Sequence, residues 1–321
     1  MSETGPPQAV EDAARRRSDA RAARDWDAAD RLRAEIEAAG WRVVDAGTAY
    51  RLERASPPDV DVAGEIRYGR SDAVPSRLDE PETGLASVVL VASPDGTATA
   101  AVLDALRSTL PDGVDVVIVA DGLPNAALAG VAPVADGTES KDGPPIELVR
   151  TSEPLGHAAA LNAGIRRCAS PIVVVLDPSV LAKGDVVTPL VAVLEDSQVA
   201  LAGPFGLVSS DLRRFEEALD GDGVAIQGYL MAFRRADFVA RGPLDEGFRF
   251  YRNLDIWWSL VLRDEGQDTA PRRALIVPGL PLERTETRAW TSTPEAVRER
   301  LSKRNFYRVL DRFRSRLDLA S

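Results

Sequence analysis

Apolar and polar positions follow two different rhythms along this chain. Over residues 8–39, which are rich in Ala, Arg, Asp and Glu, Trp26, Ala29, Leu32 and Ile36 recur at helical spacing. Asp25 marks a break between two helices and Gly40 a stop after the second. Residues 41–53 then alternate in two short runs around Asp45-Ala-Gly47, the pattern of a β-hairpin. A unit of about 50 residues buries little by itself, so this one is expected to dock on something larger. Residues 55–85 are rich in Pro, Asp, Gly and Ser and read as a linker or a surface-wrapping segment.

From residue 86 the rhythm changes. Ser87–Ala92, Val114–Ala120, Ile146–Arg150 and Ile172–Leu176 are continuous apolar runs of strand length, and Ala98–Leu110 and His157–Ala169 between them read as helices. Strands of that kind alternating with helices predict an α/β fold, with a mostly parallel sheet covered on both faces. Ligands of such sheets collect at the carboxyl ends of the strands. Two of the runs end in aspartate, Asp121 and Asp177. Residues 294–317 read as a last helix begun by Thr293-Pro294-Glu295. Its apolar face (Leu301, Phe306, Val309, Leu310, Phe313) is expected to pack on the preceding domain; the opposite side is Arg-rich, and peripheral contact with anionic lipid is the lesser alternative.

Composition narrows the function classes. The 321 residues are 45% apolar and 28% charged, as in ordinary globular proteins. Fifty acidic against 39 basic side chains give −11, which argues against a generic nucleic-acid backbone binder and against DNA as a partner. The charge is uneven: residues 284–321 carry ten Arg/Lys against five Asp/Glu, residues 1–55 ten against eleven, and the stretch between them is therefore strongly acidic. Cys168, the sole cysteine, excludes an intrachain disulfide and a cysteine-built zinc site, and reads as a buried thiol. His157, the sole histidine, excludes a multi-histidine metal cluster. No apolar run approaches the 18–20 residues or so that span a bilayer, so the expectation is a cytoplasmic protein, at most peripheral to the inner face of the membrane.

Two resemblances add to this reading. Residues 21–36, followed by Gly40-Trp-Arg-Val-Val-Asp and Arg51-Leu, resemble the small C-terminal module of bacterial cysteinyl-tRNA synthetases over about a seventh of the chain. No nucleotide-binding signature of that class accompanies them. A helical hairpin reused for packing, or for engaging a protein partner, is favoured over tRNA binding.

The second covers roughly residues 86–290. Val116-Val-Ile-Val-Ala-Asp121-Gly122, Leu155-Gly-His-Ala-Ala-Ala-Leu-Asn162-Ala-Gly164-Ile, Val173-Val-Val-Leu-Asp177-Pro-Ser179, Gly228-Tyr-Leu-Met-Ala-Phe-Arg-Arg235 and Phe250-Tyr-Arg-Asn-Leu-Asp255-Ile-Trp-Trp follow one another in the order seen in glycosyltransferase family 2. The resemblance implies a GT-A fold that binds a nucleotide-sugar donor and an inverting transfer of the sugar to a hydroxyl acceptor. Together with the pattern on either side, this divides the chain into an accessory module (1–55), a linker (56–85), a catalytic domain (86–290) and a C-terminal helix (291–321).

The residue roles it implies each have a plainer alternative. Asp255 is the general base, or a helix cap. Asp121 contacts the nucleotide base, or opens a turn with Gly122. Asp177 holds a divalent cation, Mn²⁺ or Mg²⁺, on the diphosphate. Asn162 binds nucleotide or satisfies backbone, and His157 lies at the pocket rim or is simply packed. Tyr229, Trp257 and Trp258 stand on the acceptor side, the two tryptophans as a ring-stacking wall or as cover for the carboxylate.

Two departures bear on the metal. Ser179 stands where the family has a second carboxylate, and residues 281–290 hold no histidine ligand. A hydroxyl is a weak ligand for a hard cation, so the metal site is either thin or lost. Arg284 or Arg288 then becomes the candidate to stabilise the leaving diphosphate, unless both are solvated surface charges. The runner-up function is a non-catalytic binding or scaffold protein on the same fold.

Overall fold

The computed structural model describes residues 6–46, 49–94, 96–128, 131, 144–285 and 293–320. The chain forms two compact units, Met1–Pro58 and Asp59–Ser321.

In the first unit, α1 (Gln8–Ala22) and α2 (Trp26–Ala38) precede a hairpin of β1 (Trp41–Ala46) and β2 (Ala49–Arg54). The Asp25 carboxylate caps α2 by accepting from Ala28 N at 3.0 Å, and Gly40, at φ +78°, ends it in a conformation that favours glycine. Residues 47 and 48, at the tip expected around Asp45-Ala-Gly47, lie outside the described residues. Val10, Ala13, Ala14, Ile36 and Trp41 make a small core. Trp26, placed by spacing on the apolar stripe, is instead 58% exposed. Buried Arg17 donates to both oxygens of Asp45, at 2.9 and 3.1 Å, and holds that carboxyl below its ordinary pKa.

The second unit opens with β3 (Val60–Val62) and β4 (Glu65–Arg67), a short hairpin. From Asp59 to residue 85 the Pro/Gly-rich stretch is folded against this unit. Tyr68 N donates to Arg150 O (2.9 Å), Arg77 N to Arg166 O (2.7 Å) and Thr83 N to Ala169 O (3.0 Å). Buried Arg235 reaches up to the carbonyls of Arg77 and Glu80.

The alternating elements follow: β5 (Ala86–Val91), α3 (Thr97–Thr109), β6 (Val114–Ala120), β7 (Ile146–Arg150), α4 (His157–Ile165), β8 (Ile172–Leu176) and β9 (Val180–Ala182). Next come α5 (Val187–Val193), β10 (Val199–Gly203), β11 (Gly206–Val208), β12 (Glu216–Ala218), β13 (Gly221–Gly223), β14 (Ala225–Ile226) and β15 (Leu230–Arg234). The unit closes with α6 (Arg235–Arg241), α7 (Leu254–Arg263), β16 (Arg273–Ile276), β17 (Leu282–Arg284) and α8 (Glu295–Phe313).

One eight-stranded sheet runs β13-β16-β10-β15-β8-β5-β6-β7. Four of its seven neighbouring pairs are parallel, and β15 is antiparallel to both β8 and β10. Successive residues of β5 feed opposite faces, as the strand period requires: Val89 joins a core with Val117, Trp258 and Phe313, and Val88 one with Leu103 and Leu190. Because β15 runs against β8, with Leu230 opposite Leu176, the residues just before β15 meet the carboxyl end of β8. That reversal brings Gly228 and Tyr229 beside Asp177.

α4 ends at Ile165, short of the expected Ala169, and a turn carries buried Cys168, whose thiol burial pushes up in pKa. Gly164 lets α4 press on the sheet, since a Cβ there would lie 2.6 Å from Val89 Cγ1 and 2.8 Å from Val119 Cγ2. α8 packs on the second unit through Val309 and Phe313, and buried Asn305 donates to Phe250 O and Arg252 O, both at 2.8 Å. Among the described residues no helix is long and apolar enough to cross a membrane.

Candidate functional site

Two cavities meet at the carboxyl edge of the parallel strands. The larger, about 570 Å³, is lined by Asp121, Asp177, Ser179, Arg249, Thr285 and their neighbours. The smaller, about 380 Å³, is lined by Asp255, Tyr229, Trp258 and a set of apolar side chains. Both volumes fall in the range of small-molecule sites. His157, Leu161, Val175, Asp177, Gly228 and Tyr251 line both, so the cavities adjoin along these residues.

Asp121 ends β6 and its carboxylate gathers the loop leading to α4. Oδ1 accepts from Leu155 N (2.7 Å) and Thr151 Oγ1 (3.0 Å), and Oδ2 accepts from Gly156 N (3.0 Å). Burial nevertheless raises its pKa above the ordinary value, the backbone bonds offsetting only part of the desolvation. Asp121 therefore shapes the wall of the larger cavity and also lines it.

Asp177 follows β8 and its own N–H donates to Tyr229 O at 2.9 Å. Its Oδ1 accepts from Ser179 N at 2.8 Å and from Ser179 Oγ at 2.5 Å. Burial raises its pKa, with the Ser179 bonds opposing. A divalent cation implied by the resemblance would need oxygen ligands here. The serine hydroxyl points its proton at the one carboxylate, and no group of three or more His, Cys, Asp or Glu gathers among the described residues. Among the described residues the protein thus offers a cation here one carboxylate and one hydroxyl.

Asp255 stands in the first turn of α7, and Asn253 just before the helix adopts φ +67°, a left-handed conformation that asparagine tolerates. Oδ2 accepts from Gly228 N at 3.0 Å and Oδ1 from Ile256 N at 2.9 Å. Gly228 lines both cavities, so this bond places the carboxylate near their junction. Part of the residue still meets the cavity, yet desolvation dominates and raises its pKa. α8 braces the approach to α7: Asn253 Nδ2 donates to Ser302 O at 3.0 Å, and Asn305 holds the carbonyls of Phe250 and Arg252. At the junction itself, burial lowers His157 to a pKa of about 4, so the ring is neutral at pH 7, and raises Tyr251 to about 12, so its hydroxyl keeps its proton.

Other residues singled out in the sequence fall elsewhere. Asn162 is 1% exposed and lines neither cavity; its amide donates to Leu244 O (2.9 Å) and Glu246 Oε1 (3.0 Å) and accepts from Leu244 N (2.9 Å). Of its two alternatives, the geometry shows backbone satisfaction. Trp257 also lines neither cavity: it packs on Phe248, and Arg312 of α8 lies over its ring. Trp258 lines the smaller cavity, but Phe233 and Phe238 pack edge-on against it and Trp257 stacks beside it, so the pair forms no open ring-stacking wall. Tyr229 faces the Arg284 guanidinium, 4.6 Å from its ring, and Arg284 also lies over Phe205 at 4.9 Å. β17 pairs Arg284 with Val180, setting it near Ser179 without lining either cavity. Arg288 lies outside the described residues. Arg249 and Tyr251 were not anticipated; they sit in a loop without periodicity, and only the fold brings them to the cavities.

Comparisons with known proteins agree with this architecture. Residues 87–243 match the model of the family described as glycosyl transferase family 2. None of the curated proteins matches the chain in sequence. Among solved structures, GalNAc-T7 with UDP, GalNAc and Mn²⁺ superposes with a TM-score of 0.58 at 15% identity, over 71% of this chain and 48% of that one. The mannosyltransferase PcManGT from Pyrobaculum calidifontis, in complex with GDP-Man and Mn²⁺, superposes with a TM-score of 0.52 at 18% identity, over 77% and 71%. This chain thus spans about half the length of GalNAc-T7. At such identities the likeness is one of fold, and the fold is GT-A.

Proposed function

We propose that the protein is an inverting glycosyltransferase that binds a nucleotide-sugar donor in the larger cavity and an acceptor hydroxyl in the smaller one. The observation that carries this is the meeting of the two cavities at Gly228, with the Asp255 carboxylate bonded to its N–H. The family match over residues 87–243 supports the reaction class, and the UDP and GDP-Man held by the structural neighbours support the donor class.

In this reading Asp255 takes the proton of the acceptor hydroxyl as its oxygen bonds to the anomeric carbon. The bond from that carbon to the diphosphate oxygen breaks, and the nucleoside diphosphate leaves with the electron pair. Burial makes Asp255 a better base than a solvated carboxylate, because its raised pKa increases the driving force for proton transfer. Charge grows on the leaving diphosphate and calls for fixed positive groups. Arg249 lines the donor cavity, and Arg284 is held nearby by its two aromatic neighbours. Neutral His157 offers a hydrogen bond but no charge.

Calorimetric and thermal-shift titration with UDP, GDP, dTDP and their common sugars, each with and without Mn²⁺, tests this directly. A dose-dependent rise in melting temperature for one nucleotide, without need of Mn²⁺, is expected. A shift that requires Mn²⁺ would contradict the arginine-based leaving-group role, and no shift with any nucleotide would overturn the transferase reading. One observation favours a second reading, a non-catalytic nucleotide-sugar binder: the Ser179 hydroxyl caps Asp177. Binding without donor turnover would select it.

A further inference from the structure

The last helix carries a face that neither the fold nor the cavities use. α8 turns Asn305, Val309 and Phe313 into the second unit, where they are buried. That packing leaves the apolar face unable to insert into a lipid surface. On the opposite face Arg300, Lys303, Arg304, Tyr307, Asp311 and Arg314 recur at steps of three and four, so they share one stripe about 21 Å long. All six are exposed, Tyr307 at 53%. Among the described residues none of the four basic side chains has an ion pair or a hydrogen bond. Arg15, Arg33, Arg107 and Lys183 are exposed too, yet each is ion-paired. Arg213 and Arg214 lack ion pairs as well, but Asp211, Glu216 and Glu217 stand close by in the chain. On α8 the four cations face only Asp311, with Glu299 at the edge, so the stripe is positive on a chain whose net charge is −11.

We propose that this stripe seats the protein on an anionic lipid surface, through the charged headgroups and without insertion of the helix. Residues 56–283 carry a surplus of acidic side chains, which repels a nucleic acid long enough to run past the helix. A planar surface touches the stripe without surrounding the rest of the chain. A protein partner needs an apolar centre to its interface and disfavours lysine there, and Tyr307 is the one side chain of the stripe with an apolar body. Headgroups need no matched shape, and each unpaired basic side chain attracts them through its charge. Tyr307 suits the same boundary, with its ring toward the acyl carbons and its hydroxyl among the headgroups. On its inner side α8 holds the loop of Phe250, Arg252 and Asn253, and this loop borders both cavities. Docking therefore brings that loop to roughly one helix diameter from the headgroups. The proposal stands apart from the transferase reading.

Co-sedimentation of the full chain with vesicles tests this, comparing phosphatidylcholine alone with phosphatidylcholine mixed with phosphatidylglycerol. Binding is expected to the mixed vesicles only, and to fade as added salt shortens the screening length. Each basic residue near such a surface contributes about fivefold, the equivalent of about 1 kcal/mol. Arg300→Gln, Lys303→Gln and Arg304→Gln together are therefore expected to weaken binding about a hundredfold. Asp311→Gln is expected to strengthen it about fivefold, an effect that loss of folding cannot imitate. Arg31→Gln removes the same charge from an exposed position of the first unit and is expected to leave affinity within about twofold. Glutamine is a good helix former, and melting curves show that each variant is folded. Equal binding to neutral and mixed vesicles, no binding to either, or a folded triple variant that binds as wild type does overturns the proposal. So does a loss with Arg31→Gln equal to that with Arg300→Gln alone. A tRNA held through the same three residues, with no vesicle binding, overturns it in favour of a nucleic acid.

Discussion

Asn162 offers a sharp test, because two roles predict opposite results for one substitution. Asn162→Ala removes an amide that is 1% exposed and makes three hydrogen bonds of 2.9 to 3.0 Å, two of them to the backbone of Leu244. Leu244 is itself 4% exposed, so its N–H and C=O would have no ready access to water. At roughly 1 kcal/mol per lost bond, the expected loss is about 3 kcal/mol. For a unit of this size that is a fall in melting temperature of about 6–12 °C. Asn162→Asp should cost more at neutral pH, since it keeps the acceptor for Leu244 N but turns a carboxylate toward Leu244 O and Glu246. The assay pairs calorimetric melting with nucleotide titration well below the transition. UDP or GDP affinity is expected to stay within about twofold of wild type. An unchanged melting temperature together with a tenfold or greater loss of nucleotide affinity would refute the packing role and restore Asn162 as a nucleotide contact.

Further expectations follow from the same geometry. Gly164→Ala forces a methyl against Val89 and Val119 and should destabilise by about 1–3 kcal/mol, read by denaturant titration. Ser179→Asp replaces the hydroxyl that caps Asp177 with a second carboxylate; Mn²⁺ should then raise the melting temperature of the variant and leave wild type unmoved. Asp121, Asp177 and Asp255 all have native pKa values raised by burial. Their contribution to stability is therefore fully present below the ordinary carboxylate pKa of about 3.9 and is lost as pH rises through the raised native values. Asp255→Asn should remove its share, so the melting temperature of the variant relative to wild type should become more positive from pH 4 or so toward neutrality. A difference that shrinks with rising pH would contradict the burial account.

The legible parts of the fold were those fixed by local pattern. β6, β7 and β8 run over the residues expected from their apolar runs, and Asp25 caps α2 where the break was placed. The direction of β15 was not legible, because a strand buried on both faces reads alike whichever way it runs. Yet its reversal is what brings Gly228 to Asp177. Asp121, Asp177, Asp255 and His157 do come together around the two cavities, each at an element end that sequence marks. The tryptophans illustrate the opposite case. Adjacent helical positions point about 100° apart, so Trp257 turns toward α8 while Trp258 lines the cavity. Sequence left Asn162 open between nucleotide and backbone because its partners lie 82 and 84 residues away, and no local signal distinguishes a buried amide holding a distant loop from one facing a ligand. Arg249 and Tyr251 reach the cavities through a loop whose path α8 sets, again from far along the chain.

The central claim is that Asp255 activates an acceptor hydroxyl beside a bound nucleotide sugar. Its most direct test is release of nucleoside diphosphate from a panel of UDP- and GDP-sugars in the presence of alcohol and sugar acceptors, with wild type and Asp255→Asn compared at equal donor occupancy. The account predicts unchanged donor binding and a loss of transfer of about 10²–10⁴-fold in the variant, the usual contribution of a general base. Transfer by Asp255→Asn at the wild-type rate, with donor bound equally, would contradict it.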